Sequence, residues 1–284
     1  MSSPARDHLP ADPPGREPHP ARKVAEVAPL PGLNRTRPEQ TAGGAPRGSR
    51  ATDARRRLHP VRVRDGLLFA LAVSSGAIDA LSWLALGRVF SAFITGNIVF
   101  IGIGAGGAEG PDVPRALVAL AVFGAGAFVG ARIVGGASRP PAVMWPSRVT
   151  AALGTALVAE AVFLVLWTAV GGHPSAPSAD ALIAMSGFAM GIQTVAVFSL
   201  GLRAIFTTAA TATFSVLVGD LTGWQQLSGE RQRLASIIVG LVIGAAVGAA
   251  LVVHARAWAA VFPVAVSALV VATAALAFRR AGLD

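Results

Sequence analysis

Of the 24 basic and 15 acidic residues in this chain, 20 precede Gly66 and three (Arg279, Arg280, Asp284) follow Phe278, which leaves 16 charges across 213 residues. A stretch that long and that poor in charge is unsuited to a water-facing surface, and its apolar windows recur at the length of a bilayer crossing. A hydrocarbon core about 30 Å thick takes about 20 apolar residues per helix. With no water at that depth every backbone group must bond within the protein, so continuous apolar runs of this length read as helices. The expected fold is all-α, a polytopic membrane helical bundle. Eight apolar segments emerge, at about 66–87, 92–107, 115–136, 149–171, 180–200, 205–222, 234–253 and 257–278. Between the larger groups stand "GGAEGPDVP" (106–114), "GGASRPPAVMWPSR" (135–148), "GGHPSAPSAD" (171–180) and "GDLTGWQQLSGERQR" (219–233).

The net charge of +9 would point to nucleic acid in a soluble protein. Here Arg55, Arg56, Arg57, Arg62 and Arg64 crowd just before the first span, where cytoplasmic positive charge fixes orientation. The lipid bilayer is therefore the expected partner, and nucleic acid is not. Residues 1–60, rich in Pro, Arg and Ala and without an apolar run, are expected to form a disordered basic cytoplasmic tail. No short apolar region precedes a small-residue cleavage site, so the tail does not read as a signal peptide. Tethering to anionic lipid and an over-long start-codon assignment remain equal readings of it. Zero cysteines exclude disulfides and thiol chemistry. The composition, with Lys23 the only lysine, points to a GC-rich bacterial genome and so to the bacterial cell membrane.

The halves 66–171 and 180–280 read as two membrane repeats. "GAIDALSWLALG" (76–87) lies over "MGIQTVAVFSLG" (190–201) at an offset of 114, which puts Asp79 on Gln193, and "TGN" (95–97) lies over "TAT" (211–213) after a short gap. The arginines decide the topology. If all eight segments cross, Arg132, Arg139 and Arg148 fall outside, against the positive-inside rule, with ten arginines inside and six outside. If segments two and six do not fully cross, 13 lie inside and only Arg88, Arg115 and Arg256 outside. Six crossings with both termini cytoplasmic follow. The halves then run in opposite directions, as an inverted repeat with two short or broken segments.

Several polar residues stand where lipid-like sequence would not put them. Asp79 lies mid-span, where a carboxylate is costly; it reads as a proton-linked or substrate-facing acid, or as a structural partner for the T-G-N backbone. Thr95, Gly96 and Asn97 read as a helix break whose freed backbone groups meet a ligand or are satisfied internally. Gln193, Thr208 and Thr211 are their expected counterparts in the second half, with helix–helix glue as the alternative. Glu160 is a second deep acid, either a proton carrier or a carboxylate paired with Arg132 or backbone. Gly126/Gly130 and Gly240/Gly244/Gly248 have the spacing of close helix packing. Trp145, Trp167, Trp224 and Trp258 lie near segment ends, as interfacial anchors do. The five histidines make no metal-binding spacing, and neither a cofactor motif nor a nucleophile–base set is visible, so an enzyme is not expected.

The stretch "GAIDALSWLALGRVFSAFITGNIVFIGIG" (76–104) resembles the hallmark of the YoaK family of bacterial integral membrane proteins, a domain of unknown function with about six spans. Asp79 and Ala80 match the family's Asp–Ala pair, Gly87 its glycine, Phe90 its aromatic, and Thr95, Gly96 and Asn97 its triplet. Met190, Gly191 and Gln193 match a second-half "GxxMGxQ" stretch. Thr211-Ala212 stands where members commonly carry a second Thr-Gly pair, which would permit more continuous helix in segment six. The resemblance implies the fold and the location and lends no activity. The leading expectation is a secondary transporter or permease for an unidentified small polar or ionic solute, with Asp79 or Glu160 coupling protons. The alternative is a non-transporting scaffold or accessory subunit. Association into a homo-oligomer is left open by the sequence.

Overall fold

The computed structural model describes residues 47–110, 112–135, 144–202, 214–215, 217–219 and 231–279, and among these the regular structure is helical. The helices are α1 (Arg47–Ala85), α2 (Ile94–Ala105), α3 (Val113–Val134), α4 (Ser147–Ala169), α5 (Ala176–Phe198), α6 (Arg231–His254) and α7 (Val261–Arg279), with a 3₁₀ turn at Arg256–Trp258. Six stretches are long and apolar enough to cross a bilayer: Pro60–Ala85, Val113–Val134, Ser147–Ala169, Ala176–Phe198, Arg231–His254 and Arg256–Phe278. Large apolar side chains cover their outer faces. Phe128, Val158, Val165, Val242 and Leu269 are each 64 to 66% exposed, a surface that lipid accepts and water would not.

α1 starts at Arg47, inside the stretch expected to lack structure, and continues through Pro60, where one helical hydrogen bond is lost. Residues 51–59 contain Ala, Arg and Leu, which favour helix, whereas the preceding tail is dense in Pro. α2 has 12 residues, about 18 Å of rise and too short to span. Arg88 before it and Glu109 after it line one cavity of about 300 Å³ together with Trp83, Phe100, Ile103 and Gly110. The segment therefore returns to the end of the bundle from which it departs. Most of segment six, including Thr208 and Thr211, lies outside the described residues.

Small residues set the helix pairs. Gly240, Gly244 and Gly248 of α6 press against the α1 backbone at Phe69, Val73 and Ala77, while Gly126 and Gly130 of α3 press against α5 at Phe188 and Ile192. In both pairs residue numbers rise together, so α6 is parallel to α1 and α3 to α5. α1 and α5 run antiparallel: Gln193 reaches Ser75, whereas Ser186, earlier in α5, reaches Ser82, later in α1, through Ser91. Eight crossings would make α1 and α5 parallel; six make them antiparallel, as found. These two helices are also the most buried of the spans, 67% and 61% against 17 to 39% for the rest.

The same contacts set the register between the halves. Gly76 lies against the Leu241 carbonyl and the Ala245 amide; Gly191 lies against the Phe123 carbonyl and the Ala127 amide. Gly76 and Gly191 therefore make like contacts, at an offset of 115, beside the offset of 114 in the sequence alignment. Backbone approach, which needs glycine, fixes the crossing more sharply than weak identity does.

Candidate functional site

α1 ends where Gly87 takes φ 98° and Arg88 takes φ 59°, the latter a left-handed conformation that is strained without glycine. The chain then runs without helix from Leu86 to Phe93 before α2 begins. Leu86, Val89 and Ala92 are buried along this link, so its backbone polar groups need partners away from water. Asp79, one and a half turns before the end of α1, supplies three. Its Oδ1 accepts from the amides of Ser91 (2.9 Å) and Ala92 (2.7 Å), and its Oδ2 from that of Phe93 (3.0 Å). Asn97 completes the clasp from the α2 side. Its Oδ1 accepts from the Phe90 amide (2.9 Å) and its Nδ2 donates to the Phe90 carbonyl (2.6 Å), as a neighbouring strand would.

The T-G-N triplet is therefore not itself the break. It forms the first turn of α2, and the break is the preceding link. Gly96 lies under the rings of Phe90 and Phe93, where a Cβ would meet both. Thr95 is exposed and makes no side-chain hydrogen bond among the described residues, so it does not join the site. Ser91 ties the link to the bundle through Ser82 (2.7 Å) and Ser186 (2.7 Å). Those serines were missed from the sequence; only their recurrence on apolar helices hinted at them.

Gln193 is buried and donates to Ser75 (2.8 Å), one turn before Asp79 on α1, and Ser75 in turn contacts the Met190 sulfur (3.7 Å). It acts as glue between the central helices and does not meet Asp79. Thr194, next to it on α5, donates to the Met190 carbonyl (2.7 Å). The carboxylate is thus present in one half only.

Glu160 differs. It is 1% exposed, and neither carboxyl oxygen has a hydrogen-bond partner among the described residues. Ser267 of α7 is its polar neighbour, but that hydroxyl is engaged with Ser74 of α1 (3.0 Å), which also donates to the Pro263 carbonyl (3.1 Å). The expected pairing with Arg132 is not made; that guanidinium lies 5.8 Å from the Phe128 ring centre. An unpartnered acid at this depth costs several kcal/mol, on the order of the penalty for any buried unpaired charge, unless it carries a proton.

Asp79 also borders open space. A cleft of about 660 Å³ lies along the α1–α6 seam beside the link, lined by Asp79, Trp83, Phe90, Phe93 and, from α6, Leu241, Ala245 and Ala249. Two arginines at this end of the bundle are occupied by structure. Arg115 pairs with Asp112 (3.2 Å) and Asp180 (2.9 Å), joining the starts of α3 and α5, and Arg256 donates to the Gly172 carbonyl (2.7 Å). Trp145 and Trp167 are buried, not interfacial: their indole N–H groups donate to Thr150 (2.9 Å) and to the Arg256 carbonyl (2.8 Å). Trp258 is 68% exposed, and Trp224 lies outside the described residues.

Comparison with known proteins adds a family model, described as "Protein of unknown function (DUF1275)", that matches residues 67–273. The "UPF0700 transmembrane protein YoaK" of Bacillus subtilis (strain 168) is 34% identical over 160 residues, 56% of this chain and 68% of the relative. No solved structure matches.

Proposed function

The chain belongs to the DUF1275 family of YoaK-like membrane proteins, and from that premise we propose that it is a secondary transporter for a small polar or ionic solute, coupled to protons. The observation that carries this reading is the arrangement of the halves. Parallel pairs α1/α6 and α3/α5 cross through equivalent glycines while α1 and α5 run oppositely, which supports an inverted repeat with α1 and α5 at its centre. Transporters of this architecture bind solute near the bilayer midplane beside interrupted helices and rock one half against the other. The link at residues 86–93, clasped by Asp79 and Asn97 beside a cleft, supplies the interruption in the first half. Both termini would lie on the arginine-rich cytoplasmic side.

Of the two acids, Glu160 suits proton coupling better. Asp79 is occupied by three amides, whereas Glu160 is enclosed with no hydrogen-bond partner among the described residues and can take or release a proton without dismantling a clasp. The scaffold reading is favoured by a different observation: Asp79, Asn97 and Gln193 all have protein partners, so each has a purely structural use.

The test is proton movement in proteoliposomes carrying an internal pH dye, with a panel of anions, cations, amino acids and nucleobases. The transport reading expects at least one solute to drive a pH change that Glu160→Gln abolishes while solute binding persists. A folded protein that moves protons with none of the panel, and binds none, would favour the scaffold.

A further inference from the structure

We infer that the cleft beside Asp79 is a binding site for a lipophilic organic cation, an aromatic or alkylated ammonium or phosphonium; this rests on the transport reading and names the substrate class for it. Three kinds of observation converge.

The walls are aromatic. Trp83 and Phe90 stack at 5.0 Å between ring centres, Phe93 meets Phe90 edge-on at 5.2 Å, and Phe100 backs the group at 5.8 Å from Trp83. Trp83, Phe90 and Phe93 line the cleft. Ring faces attract cations, Trp most strongly, and they do so best where water is scarce.

The one ionisable side chain among the described residues lining the cleft is an acid. Asp79 accepts three amide hydrogens, two on Oδ1 and one on Oδ2, out of about four acceptor positions that a carboxylate offers. Acceptor capacity therefore remains, on a residue that is partly exposed and borders the open space. Arg88 lines a separate cavity on the Trp83 and Phe100 side, so no described basic residue lines this one.

The rest of the lining is apolar and small. Ala80 and Ala249 have short side chains that leave room, and Leu84, Trp83 and Phe93 in the lining are 46, 37 and 36% exposed. Strongly hydrated ions would find little in such a lining to replace their water. A cation that shields its charge with hydrocarbon has no such shell to lose and can arrive from the bilayer.

Tetraphenylphosphonium and tetraphenylborate, nearly the same shape with opposite charge, are the probes. Binding to the full chain in nanodiscs is measured by equilibrium dialysis against empty nanodiscs. The expected result is saturable binding of the phosphonium at least about tenfold tighter than the borate, roughly 1.4 kcal/mol. Trp83→Leu and Ala249→Leu, one removing a ring and one filling the cleft, should each weaken it about tenfold, with melting temperatures near that of the parent. Asp79→Asn should abolish the charge preference. Because that variant loosens the clasp and risks misfolding, the two cleft variants carry the decision. Equal binding of the two probes, or binding indifferent to Ala249→Leu, overturns the inference. Should it fall while another solute still drives Glu160-dependent proton movement, the transport reading stands and only the substrate class is wrong. Phosphonium binding without any transport would instead leave the cleft as the site of a non-transporting protein.

Discussion

At the residue scale, the two acids differ in what they do for the fold. Asp79 satisfies three backbone donors, and Asn97 satisfies a donor and an acceptor on Phe90. Asn97→Ala leaves both Phe90 backbone groups without their side-chain partner at a partly buried position, and a loss of roughly 1–3 kcal/mol is expected. Loss of tryptophan-fluorescence melting temperature in detergent would report it. Glu160→Leu should have the opposite sign. Replacing an enclosed acid that has no hydrogen-bond partner among the described residues with an apolar side chain of similar size should stabilise the fold by an amount on the order of 1–4 kcal/mol and so raise the melting temperature. A lower melting temperature would mean that the carboxyl has a structural partner. Asp79 was readable in the sequence as an acid out of place, but its role was not. Its partners lie 12 to 14 residues onward in a link with no period. Trp145 and Trp167 misled for a related reason: the end of a helix in sequence need not be its lipid-facing end, and both are covered by the bundle.

At the element scale, helix pairs depend on where backbone meets backbone. A Cβ on Gly244 would run into the Val73 carbonyl, so Gly244→Leu must push α6 from α1, at a cost of roughly 1–3 kcal/mol or loss of the folded state. Gly102, in the exposed short helix, has no neighbour within 4 Å of an added Cβ. Gly102→Ala should be neutral or gain up to about 1 kcal/mol from helix propensity. Size-exclusion profiles and melting curves of the two variants side by side test the contrast. Small-xxx-small spacing announced these ladders without saying which helix each would meet. The structure assigns α3 to α5 and α6 to α1.

At the scale of the whole molecule, six spans and one returning segment make a prediction about sides. The chain has no cysteine, so single cysteines can be introduced without a background. Cysteines at Arg88, Ala108 and Ser175 should label with an impermeant thiol reagent from one side of the membrane, and one at Ser147 only from the other. All four positions are exposed. With eight crossings, Arg88 and Ala108 would label from opposite sides. The arginine count had favoured six crossings, and the antiparallel course of α1 and α5 agrees. Arg115 and Arg256, which the arginine count leaves on the minority side, each join two elements at their end of the bundle.

The sequence by itself determined the number and approximate limits of the spans, the short second segment, and the presence of two deep acids. These are properties of composition along a line, and a bilayer reads composition along a line: about 20 apolar residues cross it, and a carboxylate at that depth is conspicuous. Only the tertiary structure decided that Asp79 clasps the α1–α2 link, that Thr95 takes no part, that Gln193 joins helices, and that Glu160 has no hydrogen-bond partner among the described residues. Hydrogen bonds are directional and short, so what satisfies a buried polar group depends on which distant backbone arrives within about 3 Å of it. Helical periodicity carries no information about that arrival.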